Sequence, residues 1–329
     1  MTPLPGRRLL APGLLAGLVP ALAPSPARSF APQAPDFVGI DGWINAPAPL
    51  SVAGLRGKVA LVDFWTYSCI NCRRTVPYLN RWQAEYGPRG LQVVGIHTPE
   101  FGFERMRRNV EAAVREFGIL YPVGQDNDRR TWRAWSNQAW PAFYLLDREG
   151  RVVLLREGEG HAREMEGAIR GLLGLSGPFP ARPGEDPDLS HVRSPEVYFG
   201  ALHPTPQERA QSPRRGEATY AFAGAGPGLN RYDLDGTWAR GEEELVLRSA
   251  RGGLRMRFSA ARLHLVAGVA EGMAEGIPLR VRADGGAWRV VEVGRPTLYT
   301  LLDGETYGEH LVEVEAPAPG LSLFSATFG

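Results

Sequence analysis

The chain has 329 residues, with 37 lysines and arginines against 36 aspartates and glutamates. This near-neutral balance provides no basic surface for nucleic acid, so we expect no nucleic-acid partner. Its length is enough for two domains, and the 40 glycines and 28 prolines favour turns over long helices.

The N-terminus has the pattern of an export signal. Arg7 and Arg8 precede an apolar stretch, Leu9 to Ala23, which ends in the small-residue site Ala21-Leu-Ala23. We predict a signal peptide over 1–25, which would place the protein in the periplasm or at the cell surface. An uncleaved anchor helix is the alternative. Residues 26–50, rich in proline and alanine, are predicted to be extended.

Residues 51–175 are predicted to form an α/β domain. Apolar strands and amphipathic helices alternate, and a hairpin and a closing helix follow, as in a layered α/β architecture. The predicted elements are the strands Val59–Trp65 and Leu91–His97, the helices Glu104–Phe117 and Glu164–Leu173, and the hairpin strands Ala142–Leu146 and Val152–Leu155. A Pro/Gly-rich linker over 176–195 ends this domain.

Residues 196–329 are predicted to form an all-β sandwich or jelly roll, because apolar residues alternate there with polar or small ones. Predicted turns lie at Gly252-Gly253 and at Asp284-Gly285-Gly286. Four aromatic residues form either part of the core, which we favour, or a face that docks glycans or proteins: Trp238, Trp288, Tyr299 and Tyr307.

The two cysteines of the chain, Cys69 and Cys72, form a single CxxC after the first strong strand. This spacing places Cys69 at a helix N-terminus, where backbone N–H groups and the helix dipole favour a thiolate. Cys72 lies one turn further on, close enough to form a disulfide. We predict Cys69 as the attacking nucleophile and Cys72 as the resolving cysteine, with the Cys69–Cys72 disulfide as the redox group and no other cofactor.

Two further residues are candidates for this site. Asp63 lies inside the apolar strand, where an acid is costly to bury without a task, so we predict it as the proton acceptor of Cys72. The alternative is an edge-strand aspartate facing solvent. Pro141 opens the strand Ala142–Leu146 and is compatible with a cis bond that exposes backbone to a substrate; an ordinary trans proline is the alternative.

Four other roles are open to a CxxC: a zinc site, a copper site, a structural disulfide and a thiol peroxidase. Zinc lacks a second ligand pair, and copper would need His97 or His161 beside the thiols. A disulfide closing so short a loop would stabilise little. A thiol peroxidase is the stronger alternative, because Thr66-x-x-Cys69 matches part of the peroxiredoxin signature, but Val62 stands where that signature has proline.

Together these residues resemble the thioredoxin superfamily. Val62-Asp-Phe-Trp-x-x-x-Cys-x-x-Cys72, a helix proline at Pro77 and Pro141 match its fingerprint in order. The long interval between Cys72 and Pro141 resembles the TlpA/ResA-type extracytoplasmic oxidoreductases of cytochrome c maturation. The order of a redoxin and a β-rich, carbohydrate-binding-module-like domain resembles DipZ-type proteins still more.

The resemblance implies an extracytoplasmic enzyme that reduces protein disulfides. DipZ-type proteins carry a membrane domain that imports electrons, so a separate CcdA-like membrane donor is implied for this chain. Thr75 stands where many ResA-type enzymes have glutamate, and the resemblance implies Glu100 as an auxiliary acid. A thiol peroxidase, or a glycan- or partner-binding protein with a vestigial redoxin, remains the alternative function, and the motif leaves the redox direction open.

Overall fold

The computed structural model describes residues 31–177, 186–202, 215–270, 272 and 276–329. The predicted signal peptide, 1–25, lies outside these residues, and so do residues 178–185 of the predicted linker. No helix among the described residues is both long enough and apolar enough to cross a membrane.

The first domain is built on a mixed sheet of six strands in the order β1-β4-β3-β2-β5-β6. Strands β2, β3 and β4 are parallel, whereas the other pairings are antiparallel. The thioredoxin-like fold predicted from the sequence is confirmed. The strands are β1 (Trp43–Ile44), β2 (Val59–Trp65), β3 (Leu91–His97), β4 (Val123–Gln125), β5 (Ala142–Leu146) and β6 (Val152–Glu157).

Four α-helices flank this sheet: α1 (Ile70–Tyr86), α2 (Arg107–Glu116), α3 (Arg130–Ala134) and α4 (Ala162–Leu172). The helix predicted from Glu104 begins instead at Arg107, after a 3-10 turn over Gly102–Arg105. The side chain of Glu104 is buried and bonds to neighbouring loops, so this residue cannot lie on the solvent face of a regular helix. The segment predicted as merely extended contributes β1, which pairs with β4.

The second domain is all-β, as predicted. Its strands are β7 (Val197–Tyr198), β8 (Gly216–Tyr220), β9 (Arg231–Arg240), β10 (Leu245–Leu247), β11 (Gly252–Val269), β12 (Ile277–Ala283), β13 (Arg289–Val293), β14 (Thr297–Ala316) and β15 (Leu321–Phe328). The long strand β11 pairs with β14 along most of its length, with β9 near its start and with β15 near its end. Strand β10 pairs with both β9 and β15. The strands β9, β10, β15 and β11 therefore form a closed ring of paired strands around the apolar core.

The predicted turn at Gly252-Gly253 is wrong, because both residues lie in β11. A Cβ atom on Gly252 would lie 2.4 Å from the Leu247 side chain and 2.8 Å from the Asp235 carbonyl oxygen. Glycine is therefore required here by close strand packing rather than by a turn. The predicted turn at Asp284–Gly286 is present.

The aromatic residues of the β-domain have different environments. Trp238 is 1% exposed and lies in the core, as we favoured. Trp288 is half-buried, and the guanidinium groups of Arg280 and Arg282 lie over its ring, 4.7 and 4.5 Å from the ring centroid. The hydroxyl groups of Tyr299 and Tyr307 donate to backbone carbonyls.

The two domains share a hydrophobic cluster beside the start of α1. Phe101 of the first domain packs with Val266, Leu298 and Phe324 of the second, and Ile70 of the CxxC packs against them. The ring centroids of Phe103 and Phe324 lie 4.6 Å apart in an edge-to-face arrangement. The β-domain is therefore docked next to the cysteines.

Candidate redox site

Cys69 and Cys72 lie at the N-terminus of α1, and both are free thiols. Cys69 is the N-cap residue, with extended backbone, and the N–H of Cys72 donates a 3.4 Å hydrogen bond to its Sγ atom. Cys69 is half-buried whereas Cys72 is completely buried. A substrate can therefore reach Cys69, while Cys72 can react only with a sulfur held above it.

The environment of Cys72 disfavours its thiolate. Burial is the main cause that raises the pKa of this thiol well above its usual value, and the hydrogen bond and charge of Cys69 add to it. The negative charge of Asp63 raises it further. Cys72 therefore keeps its proton until a base removes it.

Asp63 lies on the α1 side of the sheet. Because side chains alternate along a strand, Asp63 lies on the same face of β2 as Leu61 and Trp65. Both of these pack in the same hydrophobic cluster as Cys72. Asp63 is completely buried, and neither carboxyl oxygen has a hydrogen-bond partner among the described residues. Burial raises the pKa of this carboxyl well above its usual value. The predicted alternative, an edge-strand aspartate facing solvent, is wrong, since β2 lies between β3 and β5.

The two arginines after the CxxC bind other groups. Arg73 donates to the Tyr67 carbonyl oxygen (2.7 Å) and to the Thr297 hydroxyl of the β-domain (2.5 Å). Arg74 forms a 3.0 Å ion pair with Glu159. Arg73 thus joins α1 to the β-domain.

Pro141 is buried, and the Trp140–Pro141 peptide bond is cis. The carbonyl oxygen of Pro141 accepts a 2.7 Å hydrogen bond from the Gly158 N–H. Trp140 donates its indole N–H to the Thr98 carbonyl oxygen (3.0 Å) and lines the cavity that contains Cys69. The loop of Pro141 therefore borders this cavity.

The cavity at Cys69 lies between the two domains and has a volume of about 80 Å³. The first domain lines it with Ser68, Cys69, Ile70, Asn71, Glu100 and Trp140, and the β-domain with Glu196, Tyr198, Val266, Ser325 and Thr327. The structure thus brings Glu100 to the same cavity as Cys69. The sequence interpretation did not include the residues of the β-domain, because no local pattern shows which strand ends face another domain.

Glu100 is bonded to the β-domain. The Tyr198 hydroxyl lies 2.7 Å from its Oε1 atom and 3.1 Å from Oε2 of Glu196. Burial, together with the negative charges of Glu196 and Glu104, raises the pKa of Glu100 to about 8. Glu100 therefore holds a proton at neutral pH.

Glu104, which the sequence interpretation placed in a helix, holds the loops of the site together. Its carboxylate accepts hydrogen bonds from the Ser68 hydroxyl (2.6 Å) and from the N–H groups of Glu100 (2.6 Å) and Phe101 (3.0 Å). It thereby fixes the segment before Cys69 against the segment of Glu100. In the sequence, the only sign of this role is that an acidic residue follows a loop with aromatic residues, in the first turn of the helical segment.

His97 is completely buried beneath the site. Its ring stacks on that of Tyr67, with centroids 5.7 Å apart, and its Nε2 atom lies 3.4 Å from the Thr66 hydroxyl. Burial lowers its pKa to about 3, so the ring is neutral at physiological pH. No group of three or more potential metal ligands (His, Cys, Asp or Glu) occurs within the described ranges.

Comparison with known proteins agrees with this geometry. The family model named Redoxin matches residues 31–169, and a second, named Thioredoxin like C-terminal domain, matches residues 194–329. Together the two matches span most of the chain, and the first covers the domain that has the thioredoxin-like fold. It is 34% identical to Protein DipZ of Mycobacterium bovis over 90% of its own length, but it spans only 43% of that relative.

Shorter members of the superfamily match the redoxin domain alone. Thiol-disulfide oxidoreductase ResA of Bacillus thuringiensis is 25% identical over 42% of this chain and 75% of its own. The crystal structure of a thiol-disulfide isomerase from Corynebacterium glutamicum is 26% identical, covers 44% of this chain and 98% of its own, and gives a TM-score of 0.40. In sequence, the redoxin domain is thus similar to a protein named as a thiol-disulfide oxidoreductase.

Proposed function

We propose that the chain is an extracytoplasmic thiol–disulfide oxidoreductase that reduces protein disulfides. The observation that carries the proposal is the pairing of a half-exposed Cys69 at a helix N-terminus with a buried Cys72, above an acid without a hydrogen-bond partner among the described residues. Exchange through such a dithiol requires one accessible sulfur and one protected sulfur.

In the first step, the Cys69 thiolate attacks one sulfur of the substrate disulfide. The substrate S–S bond breaks, one substrate thiol leaves, and a mixed disulfide forms. In the second step, Asp63 accepts the proton of Cys72, and the resulting thiolate attacks Cys69 Sγ. The second substrate sulfur then leaves as a thiolate and takes up a proton from solvent. The substrate has gained two electrons, and the Cys69–Cys72 pair, which has lost them, is now a disulfide.

The loop at Pro141 is the proposed contact for substrate backbone. Trp140 lines the cavity of Cys69, so a substrate segment that presents its disulfide to Cys69 passes beside this loop. The narrow cavity favours an extended segment over a folded surface.

The environment of the cysteines favours reduction of substrates. A strong oxidant of this class has a stabilised thiolate, which favours its reduced form. That thiolate belongs to the exposed cysteine, here Cys69, and the guanidinium groups of Arg73 and Arg74 that follow the CxxC donate to the Thr297 hydroxyl and to the Glu159 carboxylate. We therefore propose a reductase, with cytochrome c maturation or envelope thiol homeostasis as its setting and a CcdA-like membrane protein as its electron donor.

Insulin reduction with dithiothreitol as the electron source tests this function. The wild type should accelerate precipitation of the insulin B chain, and Cys69→Ala should abolish the acceleration. Cys72→Ala should form mixed disulfides but not turn over. Unchanged turnover in Cys69→Ala would overturn the proposal, and rapid consumption of hydroperoxide by the wild type would favour a peroxidase instead.

A further inference from the structure

We propose that Glu100, Tyr198 and Glu196 form a proton relay that leads from the Cys69 cavity to solvent and protonates the departing substrate thiolate. This inference rests on the proposed thiol–disulfide exchange. It makes the β-domain a part of the redox site, because two of the three groups belong to that domain.

The relay follows from a count of protons. The Tyr198 hydroxyl lies within hydrogen-bond distance of both carboxyl groups, at 2.7 Å from Glu100 and 3.1 Å from Glu196. A phenol has one proton and can donate only one of these bonds at a time. The other bond therefore requires a proton on one of the carboxyl groups.

Burial decides which carboxyl group keeps that proton. Glu100 is half-buried against the cavity, and Glu196, which lines the same cavity and is more open to solvent, has a pKa raised by burial to about 7. Burial and the charges of Glu196 and Glu104 raise the pKa of Glu100 to about 8, against the opposing charge of Arg129. The shared proton therefore resides mainly on Glu100, from which it can pass through the Tyr198 hydroxyl to Glu196.

The cavity provides the path from Glu100 to the reacting sulfur. Glu100 and Cys69 line the same space of about 80 Å³, which is enough for a few water molecules. Two hydroxyl groups of β15 line it as well: Ser325 is 2% exposed, and the Thr327 Oγ1 atom has no hydrogen-bond partner among the described residues. These hydroxyl groups face a space that suits water or substrate backbone.

The proposed step transfers one proton from Glu100 to the departing substrate thiolate. When Cys69 Sγ bonds to one substrate sulfur, the departing thiolate takes the Glu100 proton and leaves as a thiol. Glu100 is then reprotonated through Tyr198 from Glu196, which exchanges protons with solvent. The proton that Cys69 lost to solvent on becoming a thiolate is thus returned, and no external oxidant or reductant enters this step.

The test compares two small disulfides in single-turnover reactions of the reduced full chain. Oxidised glutathione has an alkyl leaving group that needs a proton at neutral pH, whereas dithiobis-nitrobenzoate releases a thiolate that is stable there. In Glu100→Gln, which has no proton to give, we expect single-turnover reduction of oxidised glutathione to slow by roughly tenfold or more while reduction of the aromatic disulfide stays unchanged. Tyr198→Phe and Glu196→Gln, which interrupt the return of the proton to Glu100, should keep the first turnover and slow repeated turnover of oxidised glutathione with dithiothreitol as the reductant.

Tyr307→Phe is the matched control, because it also removes one hydroxyl bond of the β-domain, to the Asp188 carbonyl oxygen. It should leave both rates unchanged. Equal slowing of both disulfides in Glu100→Gln, no slowing of either, or repeated turnover of oxidised glutathione at the wild-type rate in Tyr198→Phe would overturn the relay. If the wild type reduced neither disulfide, the proposed function itself would fail.

Discussion

Asp63 and Cys72 face each other in the buried space between strand β2 and helix α1. Both are completely buried, and the charge of Asp63 raises the pKa of the Cys72 thiol. Because burial raises the pKa of both groups, an ionised Asp63 is a stronger base than an exposed aspartate, so it can take the proton of the Cys72 thiol. This relationship is the basis of our first two predictions.

Asp63→Asn should slow the second step of exchange. An amide cannot accept the Cys72 proton, so the mixed disulfide on Cys69 should accumulate and resolve about a hundredfold more slowly. Quenched-flow mass spectrometry of the mixed disulfide measures this rate. Asp128→Asn, which changes an exposed acid, is the control. Resolution at the wild-type rate in Asp63→Asn would exclude Asp63 as the proton acceptor.

Asp63 should also make stability depend on pH. Because its pKa is raised in the folded state from about 3.8, the folded protein binds the proton more tightly than the unfolded chain. The contribution of Asp63 to the free energy of unfolding is largest when the pH is below the pKa of the unfolded chain. It is lost as the pH rises through the pKa of the folded protein. Urea unfolding should therefore show that Asp63→Asn gains stability relative to wild type between pH 5 and pH 8; a constant difference contradicts this.

The contribution of His97 to folding stability should depend on pH in the opposite direction. Burial lowers its pKa from 6.5 to about 3, so stability is full above pH 6.5 and is lost as pH falls towards 3. At pH 5 the loss should be about 2 kcal/mol, at ~1.4 kcal/mol per pH unit. The same urea titrations of His97→Gln should lack this loss, and an unchanged slope would show that His97 is not buried as a neutral ring.

Phe324→Ala should loosen the two domains. Its ring packs against Phe101 and Phe103, with centroids 5.4 and 4.6 Å apart. Loss of a buried phenylalanine costs about 3–5 kcal/mol, so we expect a lower melting temperature and faster hydrogen exchange at Ile70. Val290→Ala, at a side chain that is 59% exposed, is the control. Unchanged exchange at Ile70 would mean that this contact does not support the site.

The sequence predicted the parts of the protein that depend on local patterns. Strands β2 and β3 match their predicted bounds because their apolar runs are continuous, and Cys69 caps α1 as the CxxC spacing predicts. Strand β4 and helix α3 were missed, since elements of three and five residues carry too little periodicity. Glu104 was misplaced because its hydrogen bonds are to other loops.

The contribution of the β-domain to the redox site depends on contacts between distant parts of the chain. Tyr198 bonds to Glu100 across 98 positions, and Arg73 bonds to Thr297 across 224. No periodicity or motif in the sequence encodes which strand ends meet the CxxC. Asp63, by contrast, was identifiable because an acid within an apolar strand is exceptional in any fold.

The reduction potential of the Cys69–Cys72 pair, measured by equilibration with glutathione and dithiothreitol buffers, is the most direct test of this account. We predict a reversible two-electron couple with a potential nearer to that of thioredoxin, about −270 mV, than to that of a strong oxidant, about −120 mV. A pair that does not cycle, or one with a potential near that of the strong oxidants, would contradict the proposed reductase.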